Sequence, residues 1–361
     1  MRTIYDGYRI LENEEPVFFA GANTGKGFVG AYRDFVCEEK LNHLWILKGG
    51  SGTGKSTLMR KIQADVCSGG HSCVRYLCSS DPDSLDAVVI DEKYIILDGT
   101  SPHVWEMEYP GAVSELIYLG KHWCPEKLEA ERDTILRLIR RKKDAYCAGY
   151  ACLNAVSVLE REQYRTSMGL LDREKLNVWM DRILRKVPGQ ARTGETEQTR
   201  TWAVTAKGLC RTDGLYRMAK VHWTVADSLQ TAVCLMELLA MRCRELRIPV
   251  TMALHPVNDR ITEVYIPSLD LHIAMGNSSS DKTICMSRFL QKEQLAEKKG
   301  PIRMTVRCMV SLLEDACASF GEAGRAHSEL ESVYGNAMDF AGLNRETAQI
   351  RKQIRRYIDQ V

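Results

Sequence analysis

The sequence predicts an α/β chain built as two tandem, related halves, each a mostly parallel sheet flanked by helices. Three observations predict it. An apolar run, a glycine-rich turn and an amphipathic helix follow one another between residues 44 and 70. Further apolar runs of strand length alternate with segments of helical period. Segments of the second half also repeat segments of the first in the same order.

The bulk properties fit such a chain. Its 361 residues suffice for two domains. It is 45% hydrophobic and 27% charged with a net charge of +2, so neither nucleic acid nor a membrane is expected as partner. The N-terminal "MRTIYDGYRILENEEP" is charged early and lacks the apolar core of a signal peptide. No run reaches the roughly 18 apolar residues of a spanning helix. A cytoplasmic protein is expected. The 13 scattered cysteines contain no C-x-x-C pair and read as reduced, mostly buried thiols.

"LNHLWILKG" (41–49) reads as a strand because Leu44, Trp45, Ile46 and Leu47 form an apolar run that stops at glycines. "GGSGTGKS" (49–56) then fits G-x-x-x-x-G-K-S throughout, and "TLMRKIQADVC" carries Leu58, Ile62 and Val66 at helical spacing. Strand, glycine loop and helix in this order predict a domain of the P-loop NTPase type. Gly49, Gly50, Gly52 and Gly54, with Ser51 and Thr53 between them, let backbone amides turn toward one anion, and the helix N-terminus adds unpaired amides and a positive dipole end. Lys55 is expected on the β- and γ-phosphates, Ser56 on magnesium and Thr57 on the α-phosphate. The implied cofactors are ATP and Mg²⁺.

"SCVRYLC" (72–78) is a second strand, and Ser79, Ser80, Asp81 and Asp83 follow it in a loop. They are candidates for a second substrate, although turn and capping chemistry accounts for them equally well. "AVVIDE" (87–92) and "YIILDG" (94–99) are apolar runs ending in acids. They lie too close together to be two central parallel strands, so one is expected to be a short edge or hairpin piece. Asp98 is one candidate for the metal-side acid. Asp91 is the alternative, with Glu92 then positioning the attacking water. In the broken loop "GTSPHVWEMEYPGAV" (99–113), His103 is a candidate γ-phosphate sensor or water-positioning group, and a capping or solvent-facing histidine reads as well there.

The repeat is clearest in the helices. At an offset of 170, "NAVSVLEREQYRTSMGLLDREKLNVWMDRILRKV" (154–187) resembles "GRAHSELESVYGNAMDFAGLNRETAQIRKQIRRYI" (324–358), so that Tyr164 meets Tyr334. At 176, "CVRYLC" falls on "PVTMAL" (249–254) and "AVVID" on "EVYIP" (263–267). With one insertion, "YIILDG" falls on "LHIAMG" (271–276). "NTGKGF" (23–28) resembles "VTAKGL" (204–209). In that register "GGSGTGKS" faces "VADSLQTA" (225–232), Lys55 faces Thr231, Ser56 faces Ala232 and Asp98 faces Met275. The second half therefore reads as a degenerate, pseudo-ATPase domain without a phosphate loop.

The expected division is an ATPase domain at 1–190 with a C-terminal helical pair, a linker at 191–200 and the degenerate domain at 201–361. "EKKGP" (297–301) reads as a helix end and "GNSSSDKT" (276–283) as a loop. The basic run "RLIRRKKD" (137–144) reads as a solvated helix face with Leu136 and Ile139 turned inward. Arg185 and Arg355, or neighbouring Arg356, are candidate arginine fingers.

"FFAGANTGKGFV" (18–29), "LKGGSGTGKSTLMRKI" (47–62), "CSSDPDSLDAVVI" (78–90), "ILDGTSPH" (96–103), "YPGAV" (109–113) and "HSELESVYGNAMDF" (327–340) resemble a largely uncharacterised family of duplicated P-loop ATPases from Gram-positive bacteria. The resemblance implies ATPase activity and no particular substrate. Members often carry a "VIPEL"-type turn where this chain has "VIDEK" (89–93), which favours Asp98 over Asp91. They also tend to keep a second phosphate loop, which this chain lacks. Three functions are expected from these readings: an ATPase switch between two halves, a small-molecule or nucleotide kinase, or a non-hydrolysing ATP sensor. An unidentified protein partner on the second half and a homodimer are both left open.

Overall fold

The computed structural model describes residues 8–12, 15–227, 229–276 and 280–360, without the side chains of 292–296. Ser228 of the "VADSLQTA" segment, residues 277–279 of the "GNSSSDKT" loop and most of the N-terminal stretch used against a signal peptide lie outside the described residues.

In chain order the first half opens with β1 (Arg9–Leu11), β2 (Val17–Phe19) and the hairpin of β3 (Gly21–Thr24) and β4 (Gly27–Gly30). The short α1 (Tyr32–Phe35) leads to β5 (His43–Lys48), the glycine loop and α2 (Lys55–Cys67). Then come β6 (Cys73–Leu77), β7 (Leu85–Ile90), β8 (Tyr94–Asp98), β9 (Ser114–Tyr118) and the helices α3 (Pro125–Ala130), α4 (Arg132–Gly169) and α5 (Arg173–Leu184). The second half begins with β10 (Thr196–Thr199), the hairpin of β11 (Trp202–Thr205) and β12 (Gly208–Thr212), and α6 (Gly214–Met218). It continues through β13 (Val221–Ala226), α7 (Ala232–Glu245), β14 (Val250–Leu254), β15 (Ile261–Ile266), β16 (Leu271–Met275) and β17 (Lys282–Cys285). It closes with α8 (Lys292–Asn336) and α9 (Phe340–Asp359).

The second sheet repeats the first strand for strand. One six-stranded sheet has the order β2-β6-β7-β8-β5-β9 and the other β10-β14-β15-β16-β13-β17. In each, the third strand runs antiparallel to both neighbours and the remaining pairs are parallel. Even the irregularities match, with register shifts at Tyr76/Leu77 and at Ala253/Leu254. The two hairpins share their turn chemistry. The Thr24 and Thr205 hydroxyls donate to the Gly27 and Gly208 carbonyls at 2.7 and 2.8 Å, and Gly27 and Gly208 sit at φ 103° and 101°, where a side chain would be strained.

The antiparallel third strand makes "AVVIDE" and "YIILDG" a hairpin, one of the two expected alternatives, and corrects the other, a short edge piece. Both are central strands. The short connection between them is a tight turn, with Asp91 and Glu92 at φ 49° and 59° and the Lys93 amide bonded to the Ile90 carbonyl at 3.0 Å. A hairpin needs no crossover, so the spacing that forbids two parallel strands permits these.

The helical hairpins are exchanged between halves. Asp172 N-caps α5 and Asp339 N-caps α9. Around these caps, Cys124 N bonds to Ala337 O at 2.8 Å and Asp339 N to His122 O at 2.9 Å, so the break between α8 and α9 docks beside the first sheet. Reciprocally, Gln291 N bonds to Leu170 O at 2.9 Å and Asp172 N to Phe289 O at 2.7 Å, so the break between α4 and α5 docks beside the second. Leu343, Ile350, Ile354 and Ile358 of α9 share a core with Leu58, Met59, Ile62 and Val66 of α2. Leu176, Met180 and Leu184 of α5 pack in the core that holds Val233, Met236 and Leu239 of α7. A cut near residue 190 separates the sheets but splits both cores. Between the long helices, Gly149 of α4 lets the Phe320 ring of α8 approach; a Cβ there would sit 2.4 Å from it.

Several sequence registers shift accordingly. The paired caps and reciprocal bonds set the helical offset at 167 residues. The expected 170 is slipped by three residues, about one helical turn, because an amphipathic pattern nearly repeats at that interval. Thr196–Thr199 of the expected linker form the edge strand beside β14. "EKKGP" lies inside α8, with Pro301 in the helix. Leu136 and Ile139 are exposed, while Leu138 is the buried residue of that turn. Four of the cysteines are buried and four are exposed. Among the described residues, no helix is long and apolar enough to cross a membrane.

Candidate functional site

The first sheet delivers its glycine loop at the C-terminal end of β5, flanked by β8 and β9. All four core residues of β5, Leu44 to Leu47, are buried, as expected of a strand covered on both faces. The loop then turns on Gly52 and Gly54 at φ 75° and 76°. Gly50 faces the Trp123 ring, which a Cβ would meet at 2.9 Å, and Gly52 faces the Glu331 carbonyl of α8 at 3.3 Å. Buried Thr53 ties the loop back, its hydroxyl donating to the Gly50 carbonyl at 3.0 Å. Gly54 occupies the N-cap of α2 and offers no side chain to the first amides of the helix.

Lys55 begins α2, and its ammonium donates to the carbonyls of Gly49 and Gly50 at 2.6 and 3.1 Å. It lies 3.5 Å from the Asp98 carboxylate. Asp98 ends β8, beside Leu47 of β5, and accepts the Thr100 amide at 2.8 Å. The Ser56 hydroxyl accepts the Leu85 amide at 2.9 Å, and Thr57 is exposed on the first turn. The structure thus brings Gly49, Gly50, Ser51, Gly52, Thr53, Gly54, Lys55, Ser56 and Thr57 together with Asp98.

Asp91 and Glu92 do not join them. Their turn lies at the other end of the sheet, where Lys93 O accepts the Asn42 amide just before β5 begins. That is roughly 17 Å away at the ~3.3 Å rise of a strand. Asp91 serves there as partner to His71 and Ser72, holding its carboxyl below the usual range despite partial burial. The metal-side role for Asp91 and the water-positioning role for Glu92 are corrected on this ground. Arg355 also stands near Gly69, beyond the far end of α2.

His103 does join the site, with company that the sequence reading missed. Its Nε2 lies 3.0 Å from the Asp86 carboxylate, and both side chains are nearly inaccessible, at 8% and 6% exposed. Asp86 is the second residue of β7, the antiparallel strand that starts where the parallel strands end. Burial and the nearby Asp98 push its carboxyl well above the carboxylate range, against the Cys78 thiol and Lys55. Burial pushes His103 down to about 4. Both groups are driven toward their neutral forms by the cost of burying charge. The His103 ring is held by Phe28 and Tyr32, with centroids at 4.5 and 5.7 Å. The Tyr32 hydroxyl lies 2.7 and 3.1 Å from the Asp98 and Asp86 carbonyl oxygens.

The second half contributes directly. Ser51 Oγ lies 3.4 Å from His327 Nδ1 of α8, and burial followed by Lys142 of α4 lowers the pKa of that histidine. The expected second-substrate loop is engaged with the other half as well, since Asp83 pairs with Lys207 in the β11–β12 turn.

The loop after β13 is built otherwise. Helix α7 starts at Ala232, so Lys55 corresponds to Ala232 and Thr231 to Gly54, one residue from the expected register. Asp227 Oδ1 accepts the Leu229 amide at 2.9 Å and the Thr231 hydroxyl at 3.0 Å, and Oδ2 accepts the Ala232 amide at 2.8 Å. The chain's own carboxylate therefore sits at the N-terminus of α7.

In comparisons with known proteins, no family model, no curated protein and no solved structure matches this chain.

The donor set around the start of α2 could hold an anion beside a divalent cation. A lysine, helix amides with no side-chain cap, a hydroxyl at the second helical position and a carboxylate on the neighbouring strand converge there; the Trp123 ring crowds any Cβ at position 50, and the φ of 75° disfavours a side chain at position 52.

Proposed function

We propose that the chain is a Mg²⁺-dependent ATP-binding protein with ATPase activity, acting as a switch between its two halves. The observation that carries this reading is the meeting of Lys55, Asp98 and Ser56 around a loop that turns on glycines at positive φ. Lys55 would leave its two carbonyl partners for the β- and γ-phosphates, and the amides at the start of α2 would add donors. Ser56 and Asp98 would hold magnesium, which supplies charge neutralisation to the transferring phosphoryl group. Asp98 would then lose Lys55 as its neighbour and keep the Thr100 amide. The neutral Asp86–His103 pair is suited to accept a hydrogen bond from a water beside the phosphates.

The exchange of helical hairpins supports the switch. His327 and Glu331 of α8 border the loop, so charge arriving at Ser51 and Gly52 acts on an element continuous with the second half. A soluble-acceptor kinase gains nothing from the loop at 79–83, whose Asp83 is engaged by Lys207. An ATP-sensing adaptor would use the same contacts without turnover.

Isothermal titration with ATP and Mg²⁺, coupled to a phosphate-release assay, tests the reading. One ATP per chain with slow release of phosphate is expected. Two sites per chain, or none, overturns it, and one site without phosphate release leaves the adaptor.

A further inference from the structure

A second cluster in the first half does not need nucleotide to be useful. Cys78 directly follows β6, Asp86 is the second residue of β7 and His103 follows β8, so three segments of one sheet edge bring a thiol, a carboxylate and an imidazole together. One ligand atom from each lies within 4.8 Å of the others. Asp86 and His103 are more than nine-tenths buried; His103 Nδ1 makes no hydrogen bond, and Asp86 Oδ2 has His103 Nε2 beside it at 3.0 Å without the geometry of a hydrogen bond. Buried polar groups without such partners are costly, and they are rare unless something else engages them.

The fold does not require this trio. Following the paired strands into the second sheet, Cys78 corresponds to His255 and Asp86 to Thr262. The same sheet edge there is built without the thiol and the carboxylate. Thr262 instead satisfies itself by donating to Ala253 O at 3.2 Å. The chemistry of the trio is therefore an addition to a scaffold that stands without it.

We propose that Cys78, Asp86 and His103 form a binding site for a divalent transition metal of the zinc class. Sulfur, nitrogen and oxygen donors together suit a borderline-soft ion rather than magnesium, which prefers all-oxygen sites. In a tetrahedral site such atoms stand roughly 3–4 Å apart, given metal–ligand distances of about 2.0–2.3 Å. A small closure of side chains on an existing backbone frame suffices. Three protein ligands leave a fourth position for water or another small ligand, the pattern of a catalytic rather than a purely structural site. The Phe28 and Tyr32 rings pack on the imidazole, and the Tyr32 hydroxyl lies against the Asp86 backbone carbonyl, which keeps two of the ligands in place.

The test uses the full chain, without nucleotide, and the metal alone. Titration with Co²⁺ is expected to give a thiolate-to-cobalt charge-transfer band that saturates at one ion per chain and is displaced by Zn²⁺. Cys78→Ser is expected to abolish the band, and Asp86→Asn to weaken binding at least tenfold. Cys73→Ser, in a separate thiol pair where Cys67 Sγ stands 2.9 Å away, is expected to leave the band unchanged. A band that survives Cys78→Ser, or no saturable binding at all, overturns the proposal. Should Cys78→Ser fail to fold, X-ray absorption of the zinc-loaded wild type decides. One sulfur among nitrogen and oxygen ligands supports the site, and no sulfur, or two or more, overturns it. Because ATP is absent throughout, failure here is distinct from failure of the nucleotide reading.

Discussion

After β5 the chain runs through residues 49–54 before α2 begins; after β13 it runs through 227–231 before α7 begins, one residue fewer. Strand order, strand direction and the following helix are shared. In the second loop Asp227 folds back and accepts two amides and a hydroxyl at the helix start. Its burial raises the carboxyl pKa, against the hydrogen bonds that favour the charged form. Gln230 takes up the strain at φ 57°. In the first loop glycines take the left-handed positions, no side chain caps α2, and Lys55 rests on loop carbonyls. A helix N-terminus favours an anion in either setting. The second half meets that preference internally, and the first leaves it to an external group, with a lysine ready to follow.

The largest expected effect falls on the first loop. Lys55→Ala should weaken ATP binding at least 100-fold by calorimetry, about 3 kcal/mol on the affinity scale. An affinity within threefold of wild type would break the comparison at its centre. Asp227→Ala should create no second ATP site, because no lysine stands at Ala232.

Acid should act on both halves. Each buries a neutral histidine: His103 is held down at about 4, chiefly by burial, and His255 at about 3, by burial and then by Arg200. With unfolded values near 6.5, both contribute stability above that pH. The contribution is lost as pH falls through 6.5 toward 4, because only the unfolded chain then takes up the protons. The loss at pH 4 should be on the order of 3 kcal/mol per histidine by linkage. Glu160, raised to about 7 by burial, has the opposite sign: it lowers stability at neutral pH and recovers it between 7 and 4.5. Glu160→Gln should therefore steepen the acid limb in urea denaturation at pH 7, 6 and 5. An unchanged slope would show that Glu160 titrates normally.

Asp98→Asn should remove the dependence of ATP affinity on Mg²⁺, an effect of about tenfold (1.4 kcal/mol), while binding without Mg²⁺ persists. Equal Mg²⁺ dependence in the variant would move the metal-side role elsewhere. The smallest effect is on stability: Asp227→Ala should cost about 1 kcal/mol, as loss of a helix cap does. A cost near zero would mean that the second loop is not held by its own carboxylate.

The loop itself was legible because its chemistry is local. Lys55, Ser56 and the glycines act through a strand, a turn and a helix that are contiguous in sequence, whereas the apolar runs ending in acids left Asp98 and Asp91 as equal candidates that only the family resemblance separated. Asp86 and Cys78 were not legible. Asp86 lies in the first two residues of a strand, and only the antiparallel direction of β7 brings a strand start to the end of the sheet where its neighbours finish. The same reversal carries Asp91 and Glu92 to the far end, although their sequence resembles a metal-binding strand end. The helical repeat was visible, yet its register slipped by a turn because periodic apolar residues specify a face rather than a position along it.

By itself, then, the sequence determined the repeated order of strands and helices and the one glycine loop with its lysine, since both rest on short-range pattern and backbone geometry. Tertiary structure alone decided which acids face that loop, that Asp227 fills the loop after β13, and that each half lends its helical hairpin to the other's sheet. Those outcomes depend on strand direction and on which apolar faces meet. The reciprocal bonds of residues 122–124 with 337–339 and of 289–291 with 170–172 join positions far apart along the chain, where no local pattern reaches.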